Sequence, residues 1–342
     1  MAVLRSDVII PEVFTPYVIQ QTTQRDSFLA SGVVAPMAEL NATEGGDFVN
    51  IPFFNANLTG DFEVLSDSTS LSPSKIGTGK QVGVILHRGK AFESRDLAAM
   101  AAGADPMAAI GQKIGAFIAN QRQKDLLSCL AGVFGSVNST SSSAALFDLT
   151  IDGGSGDTPT VLSPRHVAKA KALLGDQGDK LTAVCVHSAV YYDLVERRLV
   201  DYVLASDGNG GSATPSGGTI TGAYGGADTV PTYCGLRVIV SDDVQTAGSG
   251  ASTEYATYFF TQGAVASGEQ AGLTTETDRD ILAKSDAMAI DLHYCYHPVG
   301  TKWAVTDSNP TRSVLETVSN WSKVYETKNI GIVRATNIST QD

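Results

Sequence analysis

Residues 105–134 read DPMAAIGQKIGAFIANQRQKDLLSCLAGVF and carry the strongest helix signal in the chain. Asp105 suits the cap position and Pro106 suits the first helical position. The pattern predicts one helix from Pro106 to about Ala131, roughly 39 Å long at 1.5 Å per residue. A helix of that length either crosses the body of the protein or forms its backbone. An apolar stripe at three- or four-residue spacing supports the prediction, and its members are Met107, Ile110, Ile114, Phe117, Ile118, Leu127, Leu130 and Phe134.

Two predicted strands precede this helix. Residues 47–54 (DFVNIPFF) and 81–90 (QVGVILHRGK) alternate apolar and polar side chains, which is typical of strands. The connection between them is long and rich in Ser, Thr and Gly, so we expect a protruding β-hairpin with a functional or mobile tip. Residues 1–40 are interrupted by prolines and predict an extended arm, with at most a short helix over 20–31.

An α/β region follows the helix and a Ser/Gly-rich connector at 132–156. Ser163 and Pro164 predict the start of a helix that ends at Gly175, and Ser188 predicts the cap of a second helix that runs to about Arg198. Residues 205–226 are rich in Gly and Ser and predict a flexible loop. The remaining predicted strands are 181–186, 236–240, 255–261, 287–297 and 301–305.

Composition restricts the class of protein. The chain has 342 residues, 43% hydrophobic and 18% charged, which excludes a disordered or coiled-coil protein. The net charge of −12 argues against a polyanion-binding protein, because such binding needs clustered Lys and Arg. The N-terminus lacks the apolar core of a signal peptide, and 126–147 is too polar to span a bilayer. We expect a protein made in a reducing cytoplasm, with buried free thiols at Cys129, Cys185, Cys234 and Cys295.

Several motifs invite a chemical interpretation, and each is better explained structurally. KIGTGKQ (75–81) lacks the first Gly and the Ser or Thr of a phosphate loop, and a strand follows it instead of a helix. HYCYH (293–297) places two His and one Cys on one face of a strand, but the outer two are roughly 13–14 Å apart, too far to share one zinc ion. DGGSGD (152–157) lacks EF-hand spacing and predicts a solvated turn.

The other candidate residues have no visible catalytic partner. His87 and His166 lie among polar residues, His187 directly precedes a helix cap, and Trp303 and Trp321 suit packing. The sequence therefore predicts no enzyme and no catalytic, cofactor-binding or metal-binding residues. A β-rich hydrolase remains an alternative, although the chain shows neither a nucleophile–base pair nor a metal-ligand set.

Six stretches, in collinear order, resemble one family. They are GGDFVNIPFFNANLTGDFEVL (45–65), the segment from Val84 through the long helix to Phe134, VHSAVYYDLVERRLVDYV (186–203), GLRVIVSDDV (235–244), YFFTQGAVASGE (258–269) and DRDILAKSDAMAIDLHYCYHPVGTKWA (278–304). Together they span nearly the whole chain. The chain resembles the major capsid proteins of tailed bacteriophages that have the Hong Kong 97-type fold.

That resemblance implies an α+β fold in which the long helix is the spine. It implies a division into an N-terminal arm (1–40), an extended β-hairpin loop (41–92), the spine helix with the first part of a peripheral domain (93–154), an axial domain (155–265), and returning strands of the peripheral domain with the C-terminal segment (266–342). Within this scheme, YFFTQGAVASGE packs the axial domain where the chain returns to the peripheral domain.

The resemblance also implies the function. It predicts a virion capsid protein, made and assembled in the bacterial host cytoplasm, whose hexamers and pentamers close an icosahedral shell around double-stranded DNA without sequence-specific binding. The implied partners are other copies of the chain, a portal, a separate scaffolding protein and cement proteins, with no membrane and no cofactor. Some relatives form Lys–Asn cross-links; Lys75 and Lys80 with Asn329 or Asn337 are conceivable pairs that no motif singles out. The alternative within phage structural proteins is a tail-tube or decoration protein.

Overall fold

The computed structural model describes residues 28, 31–41, 46–54, 62, 75–96, 106–137, 143–152, 158–204 and 229–340. Most of the predicted arm, most of the hairpin tip, the predicted cap Asp105 and the predicted loop at 205–226 lie outside the described residues. Helices α1 to α4 are Pro106–Phe134, Pro164–Leu174, Ser188–Glu196 and Arg312–Leu315.

Strands β1 to β8 are Val34–Pro36, Phe48–Phe54, Thr78–Val84, Leu86–Arg95, Thr150–Ile151, Thr160–Val161, Leu181–Val186 and Val200–Leu204. Strands β9 to β17 are Thr229–Tyr233, Leu236–Val240, Thr246–Ala247, Glu254–Thr261, Val265–Asp280, Ser285–Pro298, Thr301–Trp303, Trp321–Lys323 and Ile332–Ile338. Single-turn or short 3₁₀ helices are Ala38–Leu40, Phe147–Leu149, Gly175–Lys180, Gly250–Ser252, Val318–Asn320 and Thr327–Asn329.

The predicted long helix is confirmed as α1, which continues to Phe134. Its first half buries Ile114 and Ile118 against Met288 and Ile290 of β14. Its last ten residues, 125–134, are all buried, which is how a mostly apolar helix segment is accommodated. Gly132 permits that burial, because a Cβ there would lie 2.0 Å from the carbonyl oxygen of Leu315. The spine helix therefore connects two separate packing regions.

A long β-hairpin forms the surface on which the first half of α1 packs. Strands β13 and β14 pair antiparallel from Val265 with Pro298 to Asp280 with Ser285, and β4 adds to the other edge of β14. Together with β1 they form the sheet β1-β13-β14-β4, which we call the long-hairpin sheet. Strand β13 was not predicted from its residue pattern, because its Thr, Glu and Asp residues are mostly exposed and give no apolar alternation.

A second, larger sheet contains the α/β region. Within the described part of the chain its order is β5-β17-β12-β7-β10-β9-β8. In addition, β11 pairs with β12 and β6 pairs with β17. Tyr258, Phe259 and Phe260 of β12 are buried in it, so the aromatic run packs the core as expected. Strand β17, at 332–338, pairs with β12 and so belongs to this larger sheet.

The predicted β-hairpin is formed by β2 and β3, which pair from Phe48 with Val84 to Phe54 with Thr78. The predicted single strand over 81–90 is wrong, since the strand is interrupted at Ile85. The N–H of Ile85 donates to the carbonyl of Asp47 at 3.0 Å, and its side chain is buried with Leu40 and Val49. After this break, β4 joins a different sheet, so the hairpin and the long-hairpin sheet meet at Ile85.

Helices α2 and α3 confirm the predicted α/β region with one correction. Ser163 caps α2 in a reciprocal capping box with His166, and α2 ends at Gly175. The predicted cap of α3, Ser188, is instead its first residue. His187 is the cap, because its Nδ1 accepts a hydrogen bond from the N–H of Ala189 at 3.2 Å.

We expect Ile118→Ala to lower the free energy of unfolding by about 2–5 kcal/mol, since the side chain is buried against β14 and its removal leaves a cavity. Phe117, the sequence-based centre of the stripe, is only partly buried and meets the ring of Phe92 edge-on at 5.9 Å. Denaturant titration of the free subunit measures the effect. Ile281→Ala, at a side chain that is 80% exposed, is the matched control and should change the free energy by less than about 0.5 kcal/mol. An equally small change for Ile118→Ala would contradict the packing.

Candidate functional site

A buried carboxylate holds the spine helix to three other segments of the chain. Asp125 of α1 is fully buried. Its Oδ1 accepts a hydrogen bond from Nε of Arg312 at 2.5 Å, and its Oδ2 accepts from Nε of Arg88 at 3.2 Å and from the Tyr294 hydroxyl at 2.6 Å. We call Asp125, Arg88, Arg312 and Tyr294 the Asp125 clamp. It ties α1 to β4, β14 and α4.

The two arginines of the clamp extend it to further backbone. Arg88 donates from Nη2 to the carbonyl of Pro310 at 2.7 Å and from Nη1 to Oδ1 of Asn309 at 3.0 Å. Arg312 donates from Nη2 to Oε1 of Gln121, one turn before Asp125 on α1, at 2.6 Å. Each guanidinium therefore uses its fork to join a carboxylate to a second acceptor, a geometry that Lys cannot reproduce.

Tyr294 serves the clamp as a neutral donor. Burial, together with the nearby Asp125 carboxylate, raises the pKa of the Tyr294 phenol far above its ordinary value of 10. The hydroxyl therefore keeps its proton and donates a hydrogen bond to Asp125.

A second buried network anchors the base of the β2–β3 hairpin. Oε1 of Gln81 on β3 accepts from Nε2 of His297 at 3.1 Å and from the N–H of Gly300 at 2.9 Å, while Nε2 of Gln81 donates to the Tyr325 hydroxyl at 2.8 Å. The ring of Phe53 on β2 meets the Tyr325 ring edge-on at 4.8 Å. The hairpin base is thus part of the subunit's own core.

Stability should depend on pH through His297. Burial lowers the pKa of His297 from 6.5 to about 4. Below pH 6.5 the unfolded chain binds a proton that the folded chain does not bind, so stability falls from pH 6.5 to 4, by about 3 kcal/mol at the lower end. Denaturant titrations across this range should show a shallower loss for His297→Gln, which removes the titrating ring. A wild-type slope in His297→Gln would contradict the assignment.

The far end of the hairpin exposes large apolar side chains. Phe62 is fully exposed, Phe54 is 69% exposed and Ile76 is 48% exposed. The turn of the long hairpin exposes Ile281 and Leu282, and Oδ1 of the adjacent Asp280 accepts from the N–H groups of Leu282 and Ala283 at 2.8 and 3.0 Å. Exposed apolar residues at the ends of two hairpins are typical of surfaces that another molecule covers.

The HYCYH stretch lies in β14 and is structural. Cys295 and His297 are buried, and His293 pairs across the sheet with His87, with ring centroids 4.4 Å apart. Among the described residues there is no group of three or more His, Cys, Asp or Glu side chains arranged to hold a metal ion. KIGTGKQ enters β3 at Thr78, in the extended conformation expected of a hairpin.

The remaining candidates also have local structural roles. Asp152, the described part of DGGSGD, pairs with His166 at 2.9 Å and with Lys169 at 2.5 Å. Trp303 and Trp321 are buried and meet edge-on at 5.1 Å, as packing anchors do. Asn337, a conceivable cross-link partner, is fully buried and accepts a hydrogen bond from Thr257 at 2.6 Å, so no lysine of another copy can reach it in the folded subunit.

Three of the four predicted buried thiols are buried, namely Cys129, Cys185 and Cys295. Cys234 is exposed because it forms, with Gly235, the two-residue turn between β9 and β10. Both turn residues have positive φ, 49° and 81°, as such turns require.

Sequence reasoning missed the Asp125 clamp altogether. One signal was available: Asp125 is the only carboxylate in the helical stretch 106–134, and it directly precedes the apolar run Leu126–Leu127. A carboxylate at such a position requires a cation, but Arg88 and Arg312 are 37 and 187 residues away along the chain. Their pairing depends on the fold.

No helix among the described residues is long and apolar enough to cross a membrane.

The major capsid protein 13-like family model matches residues 18–331 of the chain. A protein of Bacillus phage SPP1 named major capsid protein is 37% identical over 339 residues, covering 96% of each chain. Solved structures with a similar fold include the cyanophage Pam1 capsid asymmetric unit, at a TM-score of 0.61 and 16% identity over 93% of each chain. The capsid of Ralstonia phage GP4 has a TM-score of 0.55 and 8% identity, covering 90% of this chain and 87% of that one.

Proposed function

The chain belongs to the major capsid protein 13-like family and has the Hong Kong 97-type fold, and from this we propose that its copies form hexamers and pentamers that close an icosahedral shell around double-stranded DNA. The match to a major capsid protein over 96% of both chains carries the proposal, because it includes every segment from which the subunit is built. The family is structural, so the protein is a component of the virion capsid and not an enzyme.

The domain scheme of the proposal follows the predicted boundaries with one change. Residues 1–40 act as an arm and 41–92 as the extended loop. Residues 93–154 contribute the spine and the first part of the peripheral domain. The axial domain is 155–265 with β17 added, because β17 pairs with β12 in the larger sheet. The rest of 266–342, above all the long β13–β14 hairpin, supplies the returning strands of the peripheral domain.

Subunit contacts in this scheme use the two hairpin ends. Phe62 and Leu282 are each almost fully exposed in the single chain, at the ends of different hairpins. An apolar residue of that size, exposed on a protrusion, loses its contact with water when a neighbouring copy covers it. Two such contacts per copy, repeated around a closed shell, give stability to an assembly whose individual contacts are weak.

The partners follow from the same role. We propose that the other partners are a portal, a separate scaffolding protein and cement proteins. We also propose that the protein is synthesised and assembled in the host cytoplasm. The tail-tube and decoration alternatives have no observation in their favour, and the family match points to the capsid itself.

The test is electron microscopy of the expressed protein, alone and together with the products of neighbouring genes. Negative stain should show closed shells of uniform diameter, and sedimentation should show a species of hundreds of copies. A small stable oligomer under every condition, or open tubes in place of closed shells, would overturn the proposal.

The free subunit should bind duplex DNA no tighter than micromolar at physiological salt, because its net charge of −12 leaves few phosphate contacts to make. A salt-titrated binding assay measures this, and a basic DNA-binding protein of similar size is the control. Nanomolar binding would contradict a shell that stores DNA without clamping it.

A further inference from the structure

Arg334 of β17 is a fully buried cation in the larger sheet. Its Nη1 donates to the carbonyl of Gly135, just beyond the end of α1, at 2.5 Å, and its guanidinium carbon lies 5.5 Å from the centre of the Phe134 ring. No carboxylate of the described residues pairs with Arg334, and its Nε and Nη2 have no hydrogen-bond partner. Because arginine keeps its proton in proteins, a positive charge lies in the core without a counter-charge.

The residues on either side of Arg334 in the sheet carry buried polar atoms as well. In register, Arg334 pairs with Thr150 of β5 and with Tyr258 of β12. Side chains in register on adjacent strands lie on the same face of a sheet, and here that face packs on α1, since the Phe134 and Tyr258 rings are 5.8 Å apart. Oγ1 of Thr150 and the Tyr258 hydroxyl are buried without a hydrogen-bond partner. Four hydrogen-bonding atoms of three side chains therefore face one interior region.

The charge of Arg334 decides which ligand suits these atoms. A buried ion without an opposite charge is strongly destabilising, and each unpaired buried donor adds to that cost. A water molecule could accept the hydrogen bonds but would leave the charge uncompensated, whereas an anion does both. Neighbouring strands are about 4.8 Å apart, so a single small ion fits between donors on adjacent strands better than a phosphate or a carboxylate does.

We propose that Thr150, Tyr258 and Arg334 form a binding site for one small monovalent anion, with the chemistry of chloride, between the larger sheet and the end of α1. Nε and Nη2 of Arg334 donate to the ion, and so do the hydroxyls of Thr150 and Tyr258. The ion joins β5, β17 and β12, and Arg334 joins it to the end of the spine helix through Gly135. Binding therefore stabilises the folded subunit, whether or not that subunit is part of a shell.

Urea titration of the free full-length subunit tests the site, with sodium gluconate replaced stepwise by sodium chloride at constant ionic strength. Because only the folded chain has the site, the ratio of folded to unfolded protein should rise about tenfold for each tenfold increase in chloride above the dissociation constant. Arg334→Met, which removes the charge and keeps an unbranched side chain, should show no dependence on chloride. Stability of the wild-type chain that does not change with chloride, as expected if water alone meets these donors, would overturn the proposal. So would an equal rise in Arg334→Met.

Tyr258→Phe decides the matter if Arg334→Met does not fold, because it removes one donor and keeps the ring that packs on Phe134. It should raise the chloride concentration that gives half of the stabilisation about tenfold, the effect of losing one hydrogen bond to a charged group. Tyr233→Phe, at a buried tyrosine of β9 three strands from β12, is the matched control and should keep the wild-type dependence. The same chloride dependence in Tyr258→Phe as in the wild-type chain would contradict the site.

Discussion

Asp125→Ala should lower the free energy of unfolding of the free subunit by about 3–5 kcal/mol, the effect of removing one partner from a buried ion pair. The substitution removes the acceptor of three hydrogen bonds at once, those from Arg88, Arg312 and Tyr294. It leaves two guanidinium groups facing each other without their shared counter-charge. Denaturant titration of the free subunit gives the measurement.

The size of this effect depends on how well the arginines find other partners. Arg88 keeps Asn309 and Pro310, and Arg312 keeps Gln121, so both retain some hydrogen bonds after the change. Tyr294 has no such alternative, since burial keeps its phenol protonated and Asp125 is its only hydrogen-bond acceptor among the described residues. The uncompensated hydroxyl alone should contribute about 1–3 kcal/mol.

The matched control is Lys124→Met, one residue earlier on the same helix. Lys124 pairs with Asp243 at 3.4 Å with both side chains partly exposed, and such pairs contribute about 0–1 kcal/mol. If Asp125→Ala costs no more than Lys124→Met, the clamp does not stabilise the packing of the spine helix.

The sequence alone predicted the elements that depend on local signals, such as apolar residues repeating at a helical or strand period. The spine helix, the caps at Ser163 and Gly175, and the buried strand Leu181–Val186 each depend on neighbours along the chain. Strand β13 was missed because its exposed Thr and Glu side chains are held by β14 and not by a buried face of their own. Long-range pairing overrode weak local preference there.

The polar networks could not be read from the sequence for a related reason. Gln81 bonds to His297, Gly300 and Tyr325, which are more than 200 residues away. Nothing at Gln81 distinguishes it from an exposed glutamine on a hairpin strand. Gln81 differs from such a residue only because it is buried, and it is buried because β3 packs against the strands within 285–303. The same applies to β17, whose place in the larger sheet is fixed by pairing with β12.

Replacing residues 55–77 by Asn-Gly should leave a folded subunit and abolish closed shells. Phe54 pairs with Thr78, so a two-residue turn closes β2 and β3 in their existing register. A cut that removed Thr78 and Gly79 would shorten β3, whereas this one spares both strands. The buried network at Gln81 and the contact of Phe53 with Tyr325 are retained, so the melting temperature should stay within a few degrees of wild type.

Shell formation should fail because the change removes Phe62 and the three acidic residues Asp61, Glu63 and Asp67 from the extended loop. Electron microscopy after co-expression with the assembly partners gives the result, with melting temperature measured on the same samples. A Gly/Ser segment of the natural length is the control: it should also fail to assemble, since side-chain contacts and not loop length join the copies. Regular shells from the shortened chain would show that the loop is not an intersubunit element. Failure to fold would instead place the loop in the subunit's own core, contrary to the full exposure of Phe62.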